Sequence, residues 1–202
     1  SLLSFHSTHK WKGVKVATLD ISNGSDALVG SKHFHNLNDL KGKTGLRIAY
    51  TSGSPSDTFR KGLGMFFAPE LFSTKPDEVK RAKSIFIEVK DSEEAFKLLK
   101  EGRVDLAFLW EPHVSQAVKD EFRKIIGSDE LEGLIVDDIV VERNFAQKHP
   151  NAVKRLLYHY FAAMEYYRDH PDEHIAYLQK ATKTDDPEAV KTMLKGIIVP
   201  TL

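Results

Sequence analysis

Gly102-Arg103-Val104-Asp105-Leu106-Ala107-Phe108-Leu109-Trp110-Glu111-Pro112-His113 is the stretch whose reading decides the fold. Val104 to Leu109 is apolar apart from Asp105, with Gly102 fencing one side and Pro112 the other. So short and apolar a run suits a strand buried on both faces, as in a parallel sheet with helices above and below. Its exit carries an aromatic plane, a carboxylate and an imidazole in Trp110, Glu111 and His113. Ligands of open α/β sheets sit outside the carboxyl ends of the strands, so this loop is a candidate site.

The flanking chain alternates in the same way. Leu46 to Tyr50 reads as a buried strand, and Thr51 to Ser54 as a turn. A helix then opens with Ser54 as N-cap, Pro55 at the first position and Asp57 as the acid of a short capping box. Phe59, Leu63, Phe66 and Phe67 keep helical spacing up to Pro69, and Pro76 to Lys83 reads as a polar helical turn. Ile85 to Val89 is a strand. Asp91 caps a helix with Ala95, Leu98 and Leu99 inside, and Gly102 closes it. A helix over about 112–120 and strands at Phe122 to Ile126 and Leu134 to Val141 follow. Val14 to Ile21 and Ala27 to Val29 are strands before this block, joined by a turn at Asn23 to Asp26. The alternation over 46–126 predicts a parallel sheet.

From Pro150 the pattern is helical only. Val153, Leu156, Leu157, Tyr160, Phe161, Met164 and Tyr167 form one apolar face over five turns. Pro171 and Pro187 restart two further helices.

Composition narrows the functional classes. The 202 residues, 41% apolar and 29% charged, suit a globular chain with a real core. Lys+Arg and Asp+Glu are 29 each, so no basic stripe for nucleic acid or an anionic membrane is expected. No apolar run approaches the roughly 18 residues of a membrane span, so no direct membrane insertion is expected. The absence of cysteine excludes disulfides, zinc-thiolate sites and thiol catalysis, and it fits an exported protein. The chain starts at Ser1 with no visible signal peptide. A processed protein or a piece of a longer one is expected.

Chemistry has few places to reside. The turn at Ser52, Gly53 and Ser54, with Ser56 behind it, presents backbone N–H groups and the positive end of a helix dipole. It can seat a carboxylate, sulfonate or phosphate, or Ser54 and Asp57 can simply cap the helix. The charge of Asp57 opposes an anion, which makes a neutral or zwitterionic ligand easier to defend. No Gly-Lys-Ser/Thr triplet follows, so this is no P-loop. Trp110 can stack a flat or cationic ligand while Glu111 accepts hydrogen bonds, or the Trp can seal the core end. The histidine pairs 6/9, 33/35 and 170/174 have chelating spacing but no third ligand, so no metal and no cofactor are expected. There is no Gly-x-Ser-x-Gly elbow, and the neighbours Asp137 and Asp138 point to opposite faces of a strand. No catalytic residues are expected.

Five motifs in order carry a resemblance. They are Asp39-Leu40-Lys41-Gly42-Lys43, Gly53-Ser54-Pro55-Ser56, Glu94-Ala95 leading to Gly102-Arg103-Val104-Asp105-Leu106-Ala107, Trp110-Glu111-Pro112, and Phe145-Ala146-Gln147-Lys148-His149-Pro150. Together they resemble the substrate-binding proteins of ABC importers in the nitrate/sulfonate/taurine and thiamine-precursor group. The resemblance implies an α/β, two-lobed type 2 periplasmic-binding-protein fold with parallel or mixed sheets and a helical C-terminal region. Residues 1–45 would belong to lobe 1 and the crossover, 46–133 to lobe 2, and 134–202 to the return to lobe 1, which stays incomplete for want of its N-terminal part. It implies a ligand cleft with Ser52, Gly53, Ser54 and Ser56 on one side, Trp110 and Glu111 beside it, and Asp26 contributed by the other lobe. The expected function is capture of a sulfonate, a nitrate-like anion or a pyrimidine for an ABC transporter permease. The expected location is periplasmic or extracellular, with a lipid anchor as one variant. A ligand-sensing regulatory domain of the same fold is the alternative, and a serine hydrolase using Ser54 or Ser56 with His113 the weaker one.

Overall fold

The computed structural model describes residues 12–72, 84–182 and 184–200. The expected helical turn at 76–83 and the pair His6 and His9 lie outside these residues. Contacts divide the chain into two units. Unit 1 is Ser1–Ile21, Val136–Leu194 and Ile198–Leu202, and unit 2 is Ser22–Ile135 with Lys195–Ile197.

Unit 2 is built on a five-stranded sheet. Its strands are β2 (Asp26–Gly30), β3 (Arg47–Tyr50), β4 (Ile85–Glu88), β5 (Leu106–Trp110) and β6 (Arg123–Gly127), in the order β4-β3-β5-β2-β6. β3 runs parallel to β4 and β5, whereas β2 is antiparallel to both β5 and β6. The sheet is therefore mixed: the β-α block supplies the parallel run β4-β3-β5 that its alternation predicts, and β2 and β6 add the antiparallel edge. Its extra strand comes from Ala27 to Val29, ahead of the β-α block. The same pairing places the division between the units at Ile21/Ser22, earlier than the boundary expected at 45/46.

Side chains of period two fill both faces. Ala27, Val29, Ala49, Ala107 and Leu109 pack with Ala95, Phe96, Leu98 and Leu99 of α3 (Ser92–Lys100) and Val114 and Ala117 of α4 (His113–Lys119). Leu28, Ile48, Leu106 and Phe108 face the other way. They meet Phe59 and Leu63 of α1 (Pro55–Phe66) and Leu71 and Phe72 of α2 (Pro69–Phe72). Phe108 touches Phe59 and Phe72 edge-on, with ring centroids 6.0 and 5.8 Å apart. Asp105, the one polar break in the run, sits just before β5. Its carboxylate accepts from the Arg47 backbone N–H at 2.8 Å and from the Arg47 guanidinium at 3.0 Å, which sets the register of β3 on β5.

Unit 1 is smaller and less filled. β1 (Gly13–Ser22) pairs antiparallel with β7 (Val136–Glu142), and the two-residue β8 (Ile197–Ile198) lies on the other side of β1. Helices α5 (Arg143–Lys148), α6 (Pro150–Asp169), α7 (Pro171–Thr182) and α8 (Pro187–Lys195) follow. Tyr160 on α6 donates its hydroxyl to the Leu19 carbonyl at 3.3 Å. The apolar stripe of α6 is partly covered, with Val153, Leu157, Tyr160, Phe161, Met164 and Tyr167 half-buried. None of its residues is buried, and Leu156 is 49% exposed. No helix among the described residues is long and apolar enough to cross a membrane.

Candidate functional site

The parallel strands β4, β3 and β5 send their carboxyl ends to one edge of the unit 2 sheet. β2 starts and β6 ends at that same edge, since Asp26 pairs with Trp110 and Ala27 with Gly127. Topology thus gathers the turn at 51–57, Asp26, Trp110, Glu111 and Ser128 from across the chain. This is where open α/β sheets hold ligands.

At the turn, Gly53 adopts φ +69°, a left-handed conformation that a β-carbon disfavours, although open space surrounds it. The reversal swings Ser52 and Gly53 outward and lets α1 begin at Pro55. Ser54 holds the N-cap position, but its side chain does not cap the helix. Its hydroxyl instead donates to the Thr51 carbonyl at 2.6 Å and lies 2.9 Å from the Ser56 hydroxyl. Ser56 is fully buried and accepts from the Thr51 N–H at 3.2 Å. It braces the turn from inside, while Ser52, Gly53 and Ser54 lie at the accessible end. With Ser54 occupied elsewhere, the first-turn N–H groups of α1 receive no cap from its side chain.

Asp57 departs from its expected part. Its carboxylate does not close a capping box on Ser54. It accepts from Arg60 at 2.7 Å, from Lys61 at 2.7 Å and from the Gly53 N–H at 3.4 Å. Burial pushes its pKa up, but the hydrogen bonds from Lys61 and Arg60, the Arg60 charge and the Gly53 N–H outweigh this and hold it below the ordinary carboxylate value. Arg60 is itself buried, its guanidinium 4.7 Å from the Tyr50 ring centroid and 4.9 Å from that of Phe86. One carboxylate thus faces two cations. The charge of Asp57, which on its own opposes an anion, is therefore paired with both Arg60 and Lys61.

Trp110 ends β5 half-buried. Ser92, at the start of α3, clamps its backbone, accepting from the Trp110 N–H at 3.2 Å and donating to its carbonyl at 3.4 Å. Glu111 accepts from the Ser115 N–H at 3.1 Å and the Ser115 hydroxyl at 2.8 Å, so its carboxylate is engaged in starting α4. Asp26 is buried and belongs to unit 2 with the other candidates, not to the opposite unit. It accepts from the Ser22 hydroxyl at 2.7 Å. Ser22 in turn lies 2.7 Å from the Ser128 hydroxyl, which accepts from the Gly24 N–H at 2.7 Å. Sequence reading missed Ser22, Ser92 and Ser128, because isolated serines carry no periodic signal. Arg60 and Lys61 were findable from their i+3 and i+4 spacing to Asp57.

His113 packs 6.2 Å from the Phe96 ring, and burial lowers its pKa. The hydrogen-bond partners described for Ser54 and Ser56 are each other, Thr51 and the first turn of α1, with no histidine among them. His170 and His174 lie on different tyrosine rings, Tyr166 at 4.1 Å and Tyr167 at 4.6 Å. No group of three or more His, Asp or Glu among the described residues could hold a metal ion.

No known protein family and no curated protein sequence matches this chain. Solved structures do. The periplasmic aliphatic sulphonate binding protein SsuA from Escherichia coli is similar with a TM-score of 0.72 at 15% identity, over 98% of this chain and 65% of that one. The alkanesulfonate-binding protein SsuA from Xanthomonas axonopodis pv. citri, bound to MOPS, is similar with a TM-score of 0.71 at 18% identity, over 95% and 63%. The desulfurization enzyme DSZB is similar with a TM-score of 0.66 at 13% identity, over 100% and 70%. The chain spans less than two thirds of the length of the two sulfonate-binding proteins. The fold of this chain is the mixed α/β fold of the periplasmic sulfonate-binding proteins.

Proposed function

We propose that the chain forms the ligand-binding part of a solute-binding protein that captures a small organic anion, a sulfonate foremost, for an ABC importer. The observation that carries this reading is the electropositive start of α1, where Asp57 is overbalanced by Arg60 and Lys61 beside the uncapped amides of the turn. Ser52, Gly53 and Ser54 hold the anionic group there. Trp110 covers the apolar part of the ligand. Ser56, Glu111 and Asp26 shape the site through the partners they already hold. The likeness to two sulfonate-binding proteins supports the same class of ligand. One fold neighbour is an enzyme, but a non-catalytic role fits serines whose described hydrogen-bond partners include no histidine or carboxylate, and a chain without cysteine. A periplasmic or extracellular location and a membrane permease as partner go with this function.

A thermal-shift panel tests it. Alkanesulfonates, MOPS and nitrate are expected to raise Tm at millimolar concentration, with uncharged pyrimidines having less effect. A panel in which no anion shifts Tm would sink the reading.

A further inference from the structure

We propose that Ser128 is a positioning residue for the ligand edge, acting through Ser22 and Asp26 to hold Trp110 in place. Ser22 lies ahead of the turn into β2, Asp26 opens β2, and Ser128 follows the end of β6. All three are buried, Ser128 completely. The Ser22 hydroxyl has one proton, and it goes to the Asp26 carboxylate at 2.7 Å. The 2.7 Å contact between Ser22 and Ser128 therefore has Ser128 as donor, while the Ser128 oxygen accepts from the Gly24 N–H at 2.7 Å. Donor direction is thus fixed along the whole line, from Gly24 to Ser128 to Ser22 to Asp26. A buried network satisfied in this way specifies one arrangement of the backbones it joins.

The line ends beside the site. Asp26 stands directly opposite Trp110 in the ladder of β2 on β5. Opposed residues share a face, with β-carbons about 5 Å apart, so the Asp26 side chain is a neighbour of the indole. The Glu111 N–H donates to the Ser25 carbonyl at 3.0 Å, which ties the exit of β5 to the same turn. Backbone contacts also pin this turn, since the Asn23 and Ser25 N–H groups donate to the Gly196 carbonyl at 2.7 and 3.2 Å. Ser128 adds the side-chain link that reaches Asp26. Removing its hydroxyl takes the acceptor from the Gly24 N–H and the donor from Ser22, and frees Ser22 to turn away from Asp26. Ser92 clamps the backbone of Trp110 from α3; the Ser128 line fixes what lies beside its ring. The effect on a ligand rests on the reading of Trp110 as its cover, whereas the effect on the indole does not.

Tryptophan quenching tests it. With Trp11→Phe, Trp110 is the single tryptophan of residues 1–202. In that background Ser128→Ala and Ser22→Ala are each expected to raise the acrylamide quenching constant about twofold, and the double variant no further, since either substitution breaks the same line. Leu99→Val, at the other end of α3 from Ser92, supplies a comparable loss of Tm and should leave quenching unchanged. Should Ser128→Ala fail to fold, Ser22→Ala carries the same comparison. Quenching equal to the parent in the serine variants, or raised as much by Leu99→Val, would overturn the proposal. In a titration with butanesulfonate, Ser128→Ala should weaken binding roughly fivefold, and unchanged binding would overturn the proposal as well. A parent protein that does not bind butanesulfonate would sink the ligand reading alone, with the quenching comparison still deciding the role of Ser128.

Discussion

The guanidinium of Arg60 lies 2.7 Å from the carboxylate of Asp57, and both groups are buried one turn apart in α1. Lys61 adds a second cation on the same carboxylate, at 2.7 Å. Removing one partner of a buried pair leaves a charge uncompensated. Arg60→Ala is expected to cost about 3 kcal/mol in urea denaturation, at the low end of such losses because Lys61 remains. Lys61→Met, at a half-exposed position, should cost well under 1 kcal/mol yet weaken anion binding.

Acid should unfold the protein in two stages. His113 has a folded pKa below its ordinary value, through burial. Its contribution to stability is therefore full above the unfolded value of roughly 6.5 and is lost as pH falls through the folded value. Asp57 is also depressed, so its contribution is full above roughly pH 4 and is lost on further acidification. Urea midpoints measured from pH 7 to 3 should fall first below about 6.5. His113→Gln should reduce that first fall, with His174, whose pKa burial also lowers, keeping the remainder, and leave the second. A His113→Gln protein with the wild-type profile would refute the assignment.

Gly53 is needed for its backbone, not for lack of room, since a β-carbon there meets nothing within 4 Å. Gly53→Ala is expected to destabilise by about 1 kcal/mol through the positive φ. Ligand affinity should fall with it as the turn relaxes. Thermal unfolding with and without a sulfonate separates the two effects.

Phe108→Ala removes a fully buried ring that touches Phe59 and Phe72, and should cost about 3–5 kcal/mol. Ser115→Ala removes one hydrogen bond to Glu111 and should cost about 1 kcal/mol. Chemical denaturation measures both.

Unit 2 was largely legible in the sequence because its strands have short apolar runs whose alternate residues serve two helical layers. Ala107 and Leu109 face one layer and Leu106 and Phe108 the other. Strand direction was not legible: nothing in Ala27 to Val29 says that this run turns back along β5. The turn at 51–57 and the exit at Trp110 were candidate sites in the sequence, each with a purely structural alternative, and their meeting at one edge follows from β3 and β5 being parallel neighbours. The braces at Ser22 and Ser128 were hidden, since contacts spanning 106 residues leave no local pattern. The apolar face of α6 was legible from its periodicity, which reports what a helix offers and not how far it is covered.

Emission from Trp110 is the most direct probe of the central claim that an organic anion binds at this edge. Trp11→Phe leaves Trp110 as the single tryptophan of residues 1–202. Titration with an alkanesulfonate should give a saturable change in its emission at millimolar concentration or below, weakened at least tenfold by Lys61→Met together with Gly53→Ala. An emission spectrum unchanged up to about 10 mM sulfonate, or a titration indifferent to those substitutions, would contradict it.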